Sequence, residues 1–123
     1  MSNSVSANLA QVRKRIELAV LAAGRPADAV SLLAVSKTMP AQAVRDAFAA
    51  GQLAFGENYI QEGVDKIASL ADLPLVWHCI GPIQSNKTKL VAENFAWVHS
   101  IDRLKIAERL SAQRPAHLPC LLY

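Results

Sequence analysis

A lysine ends the first short apolar run of the chain, residues 31–37. By strand alternation, Lys37 shares a face with Leu33 and Val35. The carboxyl end of a strand is where α/β proteins place their ligand sites. If apolar walls surround this amine, desolvation favours the neutral form, which can attack a carbonyl and form a Schiff base. The alternative is a lysine that reaches solvent at a strand end, and spacing alone favours that alternative.

Polar residues also follow the second apolar run, residues 53–57. Gly56 allows a ligand or another backbone to approach the strand closely. Asn58 comes directly after the run, and its side chain can cap the next helix or hydrogen-bond a ligand at the same strand end. From the residues alone, capping is the better interpretation of Asn58.

The third apolar run, residues 75–80, contains His78 and is followed by a Gly-Pro turn and a polar helix start. With Lys87 and Lys89 nearby, the start of that helix could bind an anion. A core histidine and a solvated helix start explain the same residues equally well.

The remaining histidines and the cysteines suggest no metal site. His99 lies in the fourth run, 96–100, and His117 precedes the fifth. Together with Cys79 and Cys120 they lack metal-ligand spacing, so no zinc site is predicted. The two cysteines form no CxxC pair and are expected to be buried thiols in a reducing compartment. Neither a GxSxG elbow nor a Walker loop is present in the sequence.

The composition limits the class of protein. Of the 123 residues, 52% are hydrophobic and 19% are charged, which excludes an intrinsically disordered chain. The length suits one domain, 1–123. No apolar stretch approaches the ~18 residues of a membrane span, and the N-terminus lacks the pattern of a secretory signal. The net charge of +3 is mild, so nucleic acid is not an expected partner. We expect a cytoplasmic globular protein.

Five short apolar runs recur at a steady period of about 22 residues, which is typical of βα units. Each run is too short for a helix and lacks polar alternation, as in a strand buried on both faces. The five predicted strands are 31–37, 53–57, 75–80, 96–100 and 118–123.

Helical patterns precede and separate these runs. An amphipathic helix is predicted over 5–23, with Gly24 as its stop and Arg13 on the solvent side. Pro40 is expected in the first turn of the second helix. Asp102 is the expected N-cap of the last helix, 103–113. The other helical patterns surround Ile60, Val64 and Ile67 and cover residues 86–94.

Repeated βα units predict a parallel sheet, either doubly wound or closed as a (β/α)8 TIM-type barrel. The even period and the lack of a Gly-rich phosphate loop after the first run favour the barrel. A barrel has eight strands and typically about 250 residues. We therefore predict an incomplete barrel of about five βα units, the N-terminal part of a longer protein. The open edge of its last strand could pair with another copy.

Four segments together resemble one family, the YggS-type pyridoxal phosphate homeostasis proteins, which are relatives of the alanine racemase N-terminal barrel. The segments are 33–38, 55–62, 77–87 and 98–102. The resemblance implies a single-domain barrel that holds pyridoxal 5′-phosphate (PLP) as an internal aldimine on Lys37. It also implies that Asn58 contacts the cofactor ring and that His78 lines the pocket floor.

The resemblance further implies a carrier or regulator of the PLP pool without established catalysis. It implies PLP and PLP-dependent apoenzymes as partners, and a monomer for the full-length family. One alternative is a racemase-like or lyase-like enzyme acting on amino acids through Lys37. That chemistry needs a second acid/base group, for which the sequence offers His78 and His99. The other alternative is a barrel fragment that binds no ligand.

The chain departs from the family pattern in three places. Cys79 stands where the family usually has Phe or Met, which loosens packing behind the strand. Met39 stands where many members have a second basic residue. The late strands, whose loops grip the phosphate and whose arginine meets the pyridine nitrogen, have no counterpart in these 123 residues. The resemblance therefore implies PLP binding at Lys37 by a full-length protein, and weak or no binding by this chain alone.

Overall fold

The computed structural model of the protein describes residues 4–123, in which helices alternate with short strands. The helices are α1 Val5–Ala22, α2 Ala41–Ala49, α3 Ile60–Ser69, α4 Thr88–Asn94 and α5 Leu104–Gln113. The strands are β1 Ala34–Val35, β2 Ala54–Glu57, β3 Val76–Cys79 and β4 Trp97–Val98. A 3-10 helix, Ser85–Lys87, leads into α4. No helix within residues 4–123 combines the length and apolar character needed to cross a membrane.

The four strands form one parallel sheet in the order β1-β2-β3-β4. Its register places Val35 beside Gly56, Gly56 beside His78, and His78 beside Trp97. Because residues in register point to the same side of a sheet, these four form a row across one face, called here the open face. The predicted α/β class with a parallel sheet is confirmed.

The opposite face of the sheet carries the core. Phe55 and Trp77 are buried neighbours in register, with ring centroids 5.7 Å apart. The helices supply the other side of this core, chiefly through Val44, Val91, Ile106 and Leu110. Burial of each such side chain contributes about 1.5–3 kcal/mol. This packing fixes the strands on which the candidate site residues lie.

The open face is exposed at β1 and β3, while Gly56 of β2 is buried and His78 and Trp97 are half-buried. Val35 is 51% exposed, and Val76 is 37% exposed. The expectation that the strands are buried on both faces is therefore wrong for β1 and β3, whereas in β2 both Phe55 and Gly56, on opposite faces, are buried. Parallel sheets normally have both faces covered, so this apolar surface is unusual for the class.

The fifth predicted strand is present only as a single bridge. Leu122 pairs in parallel with Trp97, and its carbonyl accepts from the Val98 N–H at 2.8 Å. The position of the fifth run beside β4 is therefore as predicted, but its length is not. Cys120 in this segment is exposed, which corrects the prediction of two buried thiols, whereas Cys79 is buried.

The predicted helix ends are correct in some places and wrong in others. Gly24 has a φ of +65°, and it follows α1 as the predicted stop. Pro40 occupies the N-cap of α2 instead of its first turn. Arg103 stands at the N-cap of α5, without a side-chain capping bond, so the prediction of Asp102 as the cap is wrong. The Asp102 carboxylate lies 3.7 Å from Nε of Arg103 instead.

Arg13 links α1 to the loop between α2 and β2, although the sequence pattern predicts Arg13 on the solvent side of the helix. Its guanidinium donates to the Ala50 carbonyl at 2.7 Å and to Oε1 of Gln52 at 2.9 Å. The sequence pattern places Val5, Leu9, Val12 and Ile16 on the apolar side of this helix, and Leu9 is buried as predicted, but Val12 is 40% exposed. Val20 is buried instead, so the buried face is rotated away from Val12 toward Arg13.

Arg13→Ala is expected to lower the free energy of unfolding by about 1.5 kcal/mol, the typical loss for a hydrogen bond to a charged group. Urea denaturation measures this change. Arg15→Ala is the matched control because Arg15 lies on the same helix and is exposed; its effect should stay within about 0.5 kcal/mol. Equal effects of the two substitutions would show that the Arg13 contacts do not hold α1 in place.

Candidate functional site

The three predicted site residues lie at the carboxyl edge of the sheet. Lys37 comes two residues after β1, Asn58 directly follows β2, and His78 lies within β3. These strands are immediate neighbours in the parallel sheet, so their carboxyl ends meet at one edge. The structure therefore brings Lys37, Asn58 and His78 to the same side of the molecule.

Lys37 is exposed, so the condition of apolar walls around its amine is not met by the described residues, and the alternative that spacing favours, a lysine that reaches solvent at a strand end, is the one observed. The physical reason is the accessibility of the open face, where Val35 is itself half exposed. The Lys37 side chain is freely accessible to an aldehyde from solvent.

The backbone around Lys37 forms a tight turn. The Met39 N–H donates to the Ser36 carbonyl at 3.1 Å, which places Lys37 and Thr38 at the centre of the turn. Thr38 has a φ of +63°, a left-handed conformation that is uncommon for a β-branched residue. Such a conformation costs about 1–3 kcal/mol and persists only where surrounding contacts enforce it.

A group of three charged residues lies directly beneath this turn and is called here the charge cluster: Glu57, Glu62 and Lys66. Glu57 and Lys66 are buried, and their Oε2 and Nζ atoms are 2.9 Å apart. Glu62 lies at the rim, with its Oε2 3.7 Å from Nζ of Lys66. The Ser36 hydroxyl donates to Oε2 of Glu57.

Neither Lys66 nor Glu57 is predicted as a functional residue from the sequence pattern. Glu57 ends the apolar run 53–57, and Lys66 lies outside the apolar stripe of Ile60, Val64 and Ile67. The detectable signal was the i,i+4 spacing of Glu62 and Lys66, which allows an ion pair on one helix face. That spacing does not indicate burial, which arises from the packing of α3 on β2.

Asn58 is half-buried and is not a helix cap. Tyr59 occupies the N-cap of α3, and no side chain caps that end. The capping interpretation of Asn58 is therefore wrong. The Asn58 backbone lies so close to Gly81 that a Cβ on Gly81 would overlap its carbonyl oxygen and would lie 2.8 Å from its carbonyl carbon. Gly81 is thus required for the approach of the two loops that end β2 and β3.

His78 belongs to an aromatic group on the open face. Its ring stacks on Trp97, with centroids 5.5 Å apart and an interplanar angle of 2°. Its Nδ1 lies 2.9 Å from Nε2 of His99, so one ring donates and the other accepts. Burial, and secondarily the charge of His99, lower the pKa of His78. The pair therefore favours at least one neutral imidazole.

The lowered pKa of His78 predicts a loss of stability in acid. Below the ordinary histidine pKa of about 6.5, the unfolded chain binds a proton that the folded chain binds less readily. The urea midpoint should therefore fall as the pH drops from about 6.5 toward the folded pKa. His78→Gln should weaken this dependence, whereas His117→Gln, at an exposed position, should not. Identical pH profiles of the urea midpoint for wild type and His78→Gln would contradict the attribution of the acid sensitivity to His78.

A cleft of about 320 Å³ adjoins Asn58. It lies between the start of α3 and the loop after β3, and its lining includes Tyr59, Pro82 and Lys87. Lys87 ends the 3-10 helix and is half-buried. The predicted anion site at this helix start remains a prediction, and the cleft gives it a position beside Asn58.

Comparison with known proteins identified close sequence relatives, although no protein-family model matched the chain. The pyridoxal phosphate homeostasis protein of Pseudomonas aeruginosa is 64% identical over 119 residues, covering 97% of this chain and 52% of that protein. The Escherichia coli K12 protein of the same name is 57% identical over 122 residues, with the same two coverages. The chain spans about half the length of these curated relatives.

Solved structures of two proteins share the fold. PipY of Synechococcus elongatus PCC7942, solved with PLP bound and without PLP, has a TM-score of 0.68 at 50% identity and covers 79% of this chain and 45–46% of PipY. A structure described as an unknown protein from Bifidobacterium adolescentis has a TM-score of 0.80 at 28% identity, covering 91% of this chain and 50% of that one. With four parallel strands and their helices, the predicted class of an incomplete (β/α)8 barrel is confirmed. The resemblance stated from the sequence is confirmed as well: this chain is similar, over nearly its whole length, to about half of a pyridoxal phosphate homeostasis protein.

Proposed function

We propose that this chain binds PLP covalently through Lys37 and serves PLP homeostasis as a carrier or regulator, without catalysis of its own. The observation that carries the proposal is the position of Lys37, an exposed primary amine in a tight turn at the carboxyl end of β1. The names of the relatives and the PLP-bound PipY structure support it. We also propose a cytoplasmic location, which the free Cys79 and Cys120 support.

The residues at this edge fit the aldehyde and the ring of PLP. When bound, PLP supplies an aldehyde, which condenses with a lysine amine with loss of water. Lys37 would provide that amine, and it is accessible without any rearrangement of the described residues. Asn58 would offer an amide for hydrogen bonds, since it does not cap α3. His78 and Trp97 would offer flat aromatic surfaces beside the ring.

The phosphate of PLP needs cationic or N–H donors of its own. Among the residues described, Lys87 lines the cleft beside Asn58 and offers one cation. The family resemblance assigns the main phosphate contacts to later strands. We therefore expect residues 1–123 alone to bind PLP weakly and to depend on the covalent link at Lys37.

Absorption spectroscopy tests this proposal. At saturating PLP the wild-type chain should show a long-wavelength band that free PLP in the same buffer lacks. Lys37→Ala should abolish the band, whereas Lys89→Ala, which removes an exposed lysine of α4, should leave it unchanged. A wild-type preparation that stays colourless with excess PLP, or a band that persists in Lys37→Ala, would contradict the proposal.

A PLP-dependent racemase or lyase is the second candidate, because two histidines lie together at this edge of the sheet. His78 belongs to β3 and His99 directly follows β4, and their ring nitrogens are 2.9 Å apart. An enzyme of that kind needs such an acid/base group. It would exchange the α-proton of amino acids for deuterium in heavy water, whereas a carrier need not. We expect no exchange above that of free PLP. Exchange lost in both Lys37→Ala and His99→Gln would establish the enzyme instead.

A carrier must release its PLP to the proteins that use it. We therefore propose PLP-dependent apoenzymes as partners. Transfer is measurable as the activity that an apoenzyme regains when mixed with the PLP-loaded chain, but not with Lys37→Ala that was incubated with PLP and freed of unbound PLP in the same way. Recovery no faster than with an equal concentration of free PLP would argue against a role in delivery.

A further inference from the structure

We propose that the charge cluster holds the Lys37 turn in the orientation that presents its amine to PLP, so that Glu57, Glu62 and Lys66 are positioning residues. The inference rests on the proposed function, because it concerns the same lysine. Neither Glu57 nor Lys66 is itself suited to contact the cofactor, since their side chains are 0% and 6% exposed. The charge cluster acts on Lys37 through the backbone of the residues on either side of it, Ser36 and Thr38.

Both neighbours of Lys37 in the chain are bound by the charge cluster. Nζ of Lys66 donates to the Ser36 carbonyl at 2.7 Å. Oε2 of Glu62 accepts from the Thr38 N–H at 2.9 Å. Two groups of the charge cluster, the Lys66 ammonium and the Glu62 carboxylate, thus contact the backbone immediately before and immediately after Lys37. The direction in which the Lys37 side chain leaves the backbone is fixed by these two contacts.

The charge cluster connects the turn to two rigid elements. Glu57 belongs to β2, and both Glu62 and Lys66 belong to α3. The helix can approach Glu57 because residue 63 is glycine: a Cβ there would lie 3.1 Å from Cβ of Glu57 and 3.0 Å from Cζ of Phe95. The turn is therefore held in place by contacts with both the sheet, through β2, and the helix layer, through α3.

The conformation of Thr38 shows that the turn depends on outside support. Its φ of +63° is disfavoured for threonine, and its N–H is the group that Glu62 binds. Charge-assisted hydrogen bonds to a carboxylate are the stronger kind. Without Glu62 the turn loses the contact that offsets this backbone strain. Lys37 would then sample directions that do not lead to the site.

Burial of charge also favours a specific role over general stabilisation. An ion pair taken out of water gains little over a well-packed apolar pair, because desolvation offsets the attraction. Here Nζ of Lys66 also donates to the Ser36 carbonyl, and Oε2 of Glu57 also accepts from the Ser36 hydroxyl, while Oε1 of Glu57 has no hydrogen-bond partner among the described residues. The two Ser36 contacts involve the first residue of the turn, and an apolar pair could not make them.

Two readouts on the full chain test the proposal. Amide hydrogen exchange by NMR reports whether the Thr38 N–H stays bonded. Reductive trapping with PLP and borohydride, followed by mass spectrometry, reports the share of label on Lys37 against the exposed Lys14 and Lys89. Glu62 is the residue to change, because its side chain is 34% exposed and its loss leaves the buried pair intact.

Glu62→Ala should speed amide exchange at the Thr38 N–H by about tenfold or more. It should also lower the share of label on Lys37 toward the share found on Lys14 and Lys89. Glu62→Gln should restore both readouts in large part, since its amide oxygen still accepts a hydrogen bond. Asp65→Ala is the matched control on the same helix, because Asp65 bonds Gln61 and not the turn. It should change neither readout.

The outcomes separate the two proposals. A wild-type chain without preferential labelling of Lys37 overturns the proposed function and, with it, the positioning role. Preferential labelling that survives Glu62→Ala overturns the positioning role alone, whether or not exchange at Thr38 changes. Loss of both readouts in Glu62→Ala with recovery in Glu62→Gln confirms it.

Discussion

Lys66→Met is expected to lower the free energy of unfolding by about 3–5 kcal/mol, the range for removal of one partner of a buried ion pair. The substitution leaves the Glu57 carboxylate buried without its cation, with a side chain that has no exposed surface. It also removes the 2.7 Å bond to the Ser36 carbonyl. Urea denaturation followed by circular dichroism measures the change.

A second variant separates the ion pair from the loss of one side chain. In Glu57→Leu with Lys66→Met both charges are absent, so much of the lost stability should return. Lys105→Met, at an exposed position of α5, should change stability by no more than about 0.5 kcal/mol. A Lys66→Met chain as stable as this control would show that the pair is not buried in solution.

Gly81→Ala is the second large effect, with an expected loss of about 3 kcal/mol, at the upper end of the range for overpacking. The new methyl would overlap the Asn58 carbonyl oxygen and lie 2.8 Å from its carbon, and neither backbone atom can rotate away. The loop that holds Asn58 must therefore move. Both the urea midpoint and the PLP absorption band should fall.

Gly56→Ala is the matched control on the neighbouring strand. Its methyl would lie 3.1 Å from Cδ1 of Ile80, the flexible end of a side chain that can shift by a few tenths of an ångström. Its cost should be clearly smaller than that of Gly81→Ala. Equal costs would mean that the close approach between Asn58 and Gly81 is absent in solution.

The parallel sheet was predictable because each βα unit repeats its own local signals. The second, third and fourth apolar runs contain β2, β3 and β4, and glycines follow α1 and α2 with positive φ values at Gly24 and Gly51. These signals depend on a few neighbouring residues. The position of Lys37, Asn58 and His78 at one edge then follows from the parallel topology.

The surroundings of these residues were not predictable in the same way. The burial of Lys66 depends on Glu57 pointing from β2 toward α3, a long-range contact that helix periodicity does not encode. The solvent exposure of Lys37 depends on what covers the open face, which the strand run itself does not specify. The rotation of α1 likewise depends on the distant partners of Arg13 in the loop before β2.

Identification of the amine that carries PLP tests the central claim most directly. Trypsin cleaves after lysine only when its amine is unmodified, so borohydride reduction of the PLP-loaded chain should leave the bond after Lys37 uncut. We predict one reduced PLP group per chain, found on a peptide in which Lys37 is internal. Label spread over the exposed lysines, with the bond after Lys37 cleaved as in the untreated chain, would contradict the account.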